Sequence, residues 1–198
     1  MRKLLSFMVT TLDGYHEGPN HEFDWPNVDD EFNEFAISQL NDIDTLLFGR
    51  ATYEGMASYW PSPAAQEGDP LVAGFMNSVP KIVFSTTLPS AEWENTTLVS
   101  GDVAAAISEL KAQPGKNLAI FGSSNLTVSL LEQGLVDELR VMVMPVLLGA
   151  GNSLFGGLKD RLRLKLTRTT TFSSGNVLLH DRPTEGPIEG PIDEGGQA

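Results

Sequence analysis

Runs of strand length made almost wholly of apolar residues alternate along this chain with amphipathic runs of helix length, and few folds accept that alternation. The short runs are "KLLSFMVT", "DTLLFG", "KIVFST", "TLVS" and "NLAIFG". Their hydrophobicity is too continuous for strands with one wet face, so they belong in a sheet covered on both sides. The helical runs lie between them. "DDEFNEFAISQL" places Phe32, Phe35, Ala36 and Leu40 on one face, and "ATYEGMASYW" is stopped by Pro61 and Pro63. "PLVAGFMNSV" follows a polar loop, "DVAAAISELKAQ" has Asp102 as its N-cap and Pro114-Gly115 behind it, and "SNLTVSLLEQG" ends on Gly134. "DELRVMVMPVLLG" reads as a further strand, and "LRLKLTRTTTFSSGNVLLHD" as two long alternating strands about a Ser-Ser-Gly turn. The expected fold is α/β: a three-layer α/β/α sandwich with a mixed, mostly parallel sheet and an antiparallel C-terminal hairpin at one edge.

Residues 1–182 contain no linker-like gap and are expected to form one domain, with length enough for a sizeable core. Residues 183–198 carry a tandem Glu-Gly-Pro-Ile, four acids and no base, and are expected to form a disordered acidic tail. The opening "MRKLLSFMVTTLDGY" sets two bases before an apolar run, as a signal peptide does. Thr10, Thr11 and Asp13 interrupt that run, however, and no small-residue cleavage site follows, so it is read as the first strand and the protein as cytoplasmic. No apolar run nears the ~20 residues of a membrane-spanning helix, and no membrane partner is expected.

With 13 Lys and Arg against 26 Asp and Glu the formal charge is −13. Removing the four tail acids leaves 13 bases and 22 acids, or −9, which sets nucleic acid aside as a partner because phosphate binding needs a basic surface. There is no cysteine, and the three histidines (His16, His21, His180) have no helical ligand spacing, so thiol chemistry and a metal site are not expected.

In parallel sheets ligands gather at the carboxyl ends of strands, where helix N-termini present free amides. Two segments have that form, Gly49-Arg50-Ala51-Thr52 and "IFGSSNL" with Gly122, Ser123 and Ser124. Each offers a glycine, hydroxyl donors and helix amides, and Arg50 is the only basic residue between Lys3 and Lys81. Together they suit the two phosphates of a dinucleotide, while the plain readings are a turn for each glycine and a surface ion pair for Arg50. A Rossmann fingerprint is absent: Gly149-Ala150-Gly151 has Leu154 where a third glycine belongs.

Over about residues 3 to 181 the chain resembles the dihydrofolate reductase-like family, in the branch containing the reductase domain of the riboflavin-biosynthesis deaminase–reductase. "TLDG", "DTLLFGRATYEGMASYW" and "IFGSSNLTVSLLEQGLVDELRVMVMPVLLGAGNSLF" carry the resemblance. It implies an NADPH-dependent oxidoreductase similar to 5-amino-6-(5-phosphoribosylamino)uracil reductase, acting on a small molecule. By position, Gly49, Arg50 and Thr52 match the first phosphate turn, Ser85 and Thr86 the segment at the adenosine 2′-phosphate, and Gly122, Ser123, Ser124 and Leu126 the second turn. Met8 and Val9 match the strand beside the nicotinamide. Related domains pair, so a homodimer is expected, with "VMVMPVLLGAG" as one side of its interface or as core.

The substrate is less legible. Dihydrofolate reductases keep a carboxylate near the start of the first helix, and here Asp30 or Glu31 is the candidate proton donor, with N-terminal capping as the alternative role. No arginine follows the first phosphate turn to grip an anionic tail, and the late bases of "RLRLKLTR" read as a solvated strand face. A smaller or less anionic heterocycle than dihydrofolate or the ribityl precursor is therefore expected. Deaminase chemistry needs a zinc site with a cysteine pair, which the chain lacks. Tyr53 and Trp60 line the substrate cleft or belong to the core. The other readings are dihydrofolate reductase itself and a nucleotide-binding regulatory protein without turnover.

Overall fold

The first apolar run becomes a central strand. In the computed structural model, whose described residues are 1–184, the chain runs β1 (Leu4–Thr11), β2 (Tyr15–Glu17), α1 (Asp30–Leu40), β3 (Ile43–Gly49), α2 (Arg50–Tyr59), α3 (Pro63–Gly68), α4 (Pro70–Ser78) and β4 (Lys81–Phe84). It continues through β5 (Thr96–Val99), α5 (Val103–Ala112), β6 (Asn117–Phe121), α6 (Ser124–Glu132), β7 (Glu138–Met144), β8 (Asn152–Ser153), β9 (Leu164–Thr171) and β10 (Val177–Pro183). The main sheet has the order β5-β4-β3-β6-β1-β7-β10-β9. Its first six strands are parallel, and only β10 opposes both neighbours. The mixed sheet with its antiparallel terminal hairpin is the one expected. The tail lies outside the described residues except for Pro183, which closes β10, and Thr184.

Alternation along β1 builds the layers. Leu5 packs with Tyr53 and Met76, and Phe7 with Phe35, on the face covered by α1, α2 and α4. Leu4 packs with Ile107 and Leu130 of α5 and α6 on the other face. Each such side chain, once fully buried, contributes about 1.5–3 kcal/mol, so both faces of the sheet hold the fold. Of the two bases at the start of the chain, Lys3 is exposed. Arg2 is buried, donates to Lys116 O at 2.6 Å and to Thr45 Oγ1 at 2.7 Å, and pairs with Asp44.

Four features depart from expectation. The strand read through "DELRVMVMPVLLG" stops at Met144, before Pro145. The loop beyond it is held by Asp13, whose carboxylate accepts from the amides of Leu148 and Gly149 at 3.3 and 2.8 Å. Within that run Met142 and Met144 are core residues, whereas Leu147 is exposed. Helix α3 arises in the stretch read as a polar loop, started by Ser62, which accepts from Ala65 N, and by Pro63. The small β2–β8 pair was not foreseen, since two or three residues carry no periodicity. Lys165 and Arg168 are solvated as expected, but Leu164 and Leu166 are exposed too, because β9 is an edge strand. Among the described residues no helix is long and apolar enough to cross a membrane.

Across β7 and β10, Arg140 stands opposite His180, and both engage Glu138, at 2.6 Å from Arg140 Nε and 3.3 Å from His180 Nδ1. The His180 hydrogen bond, followed by those from Arg140 and against the opposing effect of burial, holds the Glu138 carboxyl at about 2 instead of 4.5. A depressed carboxyl pKa contributes stability that is full above the unfolded value and is lost as pH falls through the folded one. Between pH 4.5 and 2 the wild type should therefore lose about 3 kcal/mol that Glu138→Gln never had. Urea melts of both proteins across that range check this, and parallel acid limbs would contradict it.

Candidate active site

The carboxyl ends of β3, β6 and β1 lie side by side. From β3 the chain departs toward β4, and from β6 it crosses β1 to reach β7, so the connections leave in opposite directions. That divergence opens a crevice at the strand ends. A cleft of about 860 Å³ occupies it, with both glycine turns in its wall.

The helices at this cleft differ from the rest. Helices α1, α3, α4 and α5 are each capped by a side-chain oxygen, from Asp29, Ser62, Asp69 and Asp102. Helices α2 and α6, which start at the two turns, have no side-chain cap. Their first-turn N–H groups are thus left to another acceptor, with the positive end of each helix dipole beside them. One hydrogen bond ties the turns together: Gly49 N–H donates to Ser123 Oγ at 3.1 Å.

The two glycines are not equivalent. Gly122 has φ +87°, and a Cβ there would stand 3.1 Å from Thr52 Cγ2, so backbone and space both require glycine. Gly49 has an ordinary φ of −79°, and a Cβ would make only 3.9 Å contacts with Leu126 and Ser123. Arg50 and Thr52 line the cleft beside Gly49, as do Ser124 and Leu126 beyond Gly122, and Met8 and Val9 in the second half of β1. Arg50 is half-exposed and pairs with Glu54 at 3.0 Å, an i,i+4 surface pair worth little, so the guanidinium both lines the cleft and has the ion pair of the plain reading. His16 of β2 reaches the same place, with Nε2 3.1 Å from Ser124 Oγ. Burial pushes its pKa down, against Glu17, which leaves the imidazole neutral at pH 7.

A family model for the RibD C-terminal domain matches residues 2–178. The chain belongs to the RibD C-terminal domain family. It is 35% identical over 181 residues to the uncharacterized protein YyaP of Bacillus subtilis (strain 168), covering 90% of this chain and 93% of that one. Among solved structures, it superposes on a diaminohydroxyphosphoribosylaminopyrimidine deaminase/5-amino-6-(5-phosphoribosylamino)uracil reductase from Thermotoga maritima with TM-score 0.68, at 16% identity, covering 92% of this chain and 57% of that one. The dihydrofolate reductase from Enterococcus faecalis, complexed with NADP(H), superposes with TM-score 0.60 at 15% identity, covering 92% and 97%. At such identities these two likenesses are of fold.

In this RibD-type domain not every residue expected at the site is in the cleft. Ser85 and Thr86 follow β4, one strand beyond β3, and do not line it; Ser85 Oγ accepts from Thr87 N and Leu88 N of its own turn. Asp30 and Glu31 are exposed and also lie outside the cleft wall. Glu31 accepts from Ser173 N at 2.6 Å and from the Ser173 hydroxyl, so it ties α1 to the β9–β10 turn, while Asp29 caps the helix. Tyr53 is core: its hydroxyl accepts from Trp93 N at 3.0 Å, whereas Trp60 lines the cleft. His16, Asn33 and Gln39 line it without having been singled out. For Gln39 a signal existed, a polar residue within the apolar face of an amphipathic helix; a lone histidine after a turn carries none. A second hollow of about 670 Å³, bordered by Glu54, Glu92 and Glu94, has no base in its wall and none of the turn residues except the Glu54 partner of Arg50.

Proposed function

We propose that this RibD-type domain is a reductase that uses NADPH to reduce a small molecule bound in the far half of the cleft. The observation that carries the reading is the pair of uncapped helix N-termini joined through Gly49 N–H and Ser123 Oγ at the centre of the sheet. A dinucleotide diphosphate needs two such sets of donors, and in each of the other helices a capping side chain already occupies one first-turn amide. The residues present fit that group. Gly122 has no Cβ to fill the cradle, Ser123 and Ser124 bring hydroxyls, and Arg50 brings a charge that its exposed pair with Glu54 does not hold strongly. Met8 and Val9, on opposite faces of β1, both line the cleft, and Val9, on the Phe7 side, is the apolar side chain suited to one face of the nicotinamide.

When bound, the cofactor supplies the hydride. The chain's part is to orient and to exclude water. The glycine turns fix one end of the cofactor, and the apolar Val9 keeps solvent from the reacting face. His16, neutral and within hydrogen-bond distance of Ser124 Oγ, sets that hydroxyl's direction.

Thermal melts test the reading. NADPH at 100 times its Kd should add about 2.7 kcal/mol, or roughly 5–11 °C for a chain of this size. NADH should add less, and Arg50→Ala should weaken the NADPH effect about tenfold in affinity. A melt moved by neither nucleotide would refute the function.

A further inference from the structure

Like charges gather on one face of the outermost strand. Lys165 of β9 stands directly opposite Arg182 of β10, and Arg168 stands opposite His180, two residues back from Arg182, so these four share a face. Arg163, two residues before Lys165, continues the row. Like charges facing each other across a strand pair destabilise it unless a counter-charge is supplied. Arg163, Lys165, Arg168 and Arg182 are all exposed, and none of them makes an ion pair among the described residues. Glu138, the acid of β7 on the same face, is taken by Arg140 and His180. The row also lies on the edge of the sheet, and natural sheets cover or charge their edges.

The charge of the chain is divided to match. Residues 159–184 hold six bases against Asp160 and Asp181, or +4, while residues 1–158 hold seven bases and 20 acids, or −13. A free polyanion approaching the row is repelled by that surplus of acid. A second copy set β9 to β9 would bring the same bases together. Residues 185–198 differ from both in being tethered. They carry Glu185, Glu189, Asp193 and Glu194 with no base, or −4, and they begin beside the row, where Thr184 N donates to Arg163 O at 3.0 Å.

We propose that the acidic segment 185–194 turns back along β9 and docks on Arg163, Lys165, Arg168 and Arg182 of its own chain. Because β10 ends where β9 starts, the segment has to reverse, and Gly186-Pro187 is a turn signal at the right place. From Glu185 to Glu194 an extended chain spans about 28 Å, against about 15 Å of strand from Arg163 to Arg168, so the acids reach the whole row. Pro187 and Pro191 have no N–H to give a ladder, so the contact is one of side-chain charge and not of a further strand. Exposed ion pairs are individually weak. Tethering compensates, since it holds the acids at a millimolar effective concentration beside the bases.

Zero-length carbodiimide coupling of the full chain, followed by peptide mapping, tests the proposal, because it joins only carboxylates and amines already in contact. Lys165 is the lysine of the row, and the exposed Lys3 and Lys116, at the same end of the sheet, are the comparators. The acids of 185–194 should couple to Lys165 about fivefold or more over either comparator at low salt, and that preference should fall to near unity in about 1 M salt. The double variant Arg163→Glu, Arg182→Glu should abolish the preference at low salt as well. Should that variant fail to fold, the wild-type ratio and its salt dependence decide alone. Even coupling to the three lysines would overturn the proposal and leave the row to a free anion. A preference that neither salt nor the double variant lowers would overturn it too. A mixture of isotopically heavy and light chains reads whose segment is bound: cross-links joining heavy to light chains, in place of links within one chain, would overturn the proposal in favour of a second copy.

Discussion

Replacing Gly122 by valine is expected to lower NADPH affinity at least a hundredfold and to cost roughly 2–3 kcal/mol of stability. The turn holds this residue at φ +87°, where a side chain with a branched Cβ is strained by about 1–2 kcal/mol or more. Its Cβ would also press on Thr52 Cγ2 at 3.1 Å, closer than nearly all real contacts of that kind. Relief of either strain moves Ser123 and Ser124, and with them the start of α6. Affinity should therefore suffer more than stability, because phosphate donors act over tenths of an ångström. Gly49→Ala is the matched control. With an ordinary φ and 3.9 Å contacts it should leave the melting temperature within about 2 °C of wild type. NADPH titrations and melts of the two variants check both statements. A valine variant that binds NADPH within threefold of wild type would show that the turn does not hold the cofactor.

Lys81→Met is expected to cost about 3 kcal/mol of stability, although Lys81 does not itself line the cleft. The side chain starts β4 and is 1% exposed. Its ammonium donates to the carbonyls of Met76, Asn77 and Val79 at 2.9, 3.2 and 2.8 Å, and lies 4.5 Å from the centre of the Trp93 ring. Helix α4 has no base in its own last turn, so a lysine from the next strand serves as its C-terminal cap. Methionine keeps the stem and leaves those carbonyls short of donors, each costing about 1 kcal/mol or more. Chemical denaturation at pH 7 would measure it, and a loss under 1 kcal/mol would contradict the capping role. Burial lowers the ammonium pKa to about 8 from 10.5, opposed by Glu94. The sign follows from proton binding: between pH 8 and 10.5 the unfolded chain holds more protons at this residue than the folded one, so this residue's contribution to stability rises with pH there. The deficit of Lys81→Met relative to wild type should widen across that window.

The order of elements was legible because both kinds of period were strong and because Pro61, Pro63, Pro114 and Gly134 mark where runs end. The two turns were legible for a related reason, since a glycine between an apolar run and a helix start is visible in one dimension. The role of Glu31 was not. An acid at the start of a helix looks the same whether it faces a pocket or, as here, Ser173 in a turn more than a hundred residues away. Lys81 was hidden for the same reason: it acts on groups brought to it by packing, the carbonyls at the end of α4. Very short pairings such as β2 with β8 have too few residues to show any period at all.

The place of β1 in the sheet also has a cost in time. It precedes every other described strand in the chain, yet its partners are β6 and β7; Leu4 pairs with Leu118, 114 residues later. At synthesis rates of about 5–20 residues per second, "LLSFMVTT" waits on the order of ten seconds before either neighbour exists. During that interval a nascent chain exposes both edges of the strand destined for the middle of its sheet. The yield of folded protein should then depend on the speed of translation and on holdase chaperones, even where the finished domain is stable.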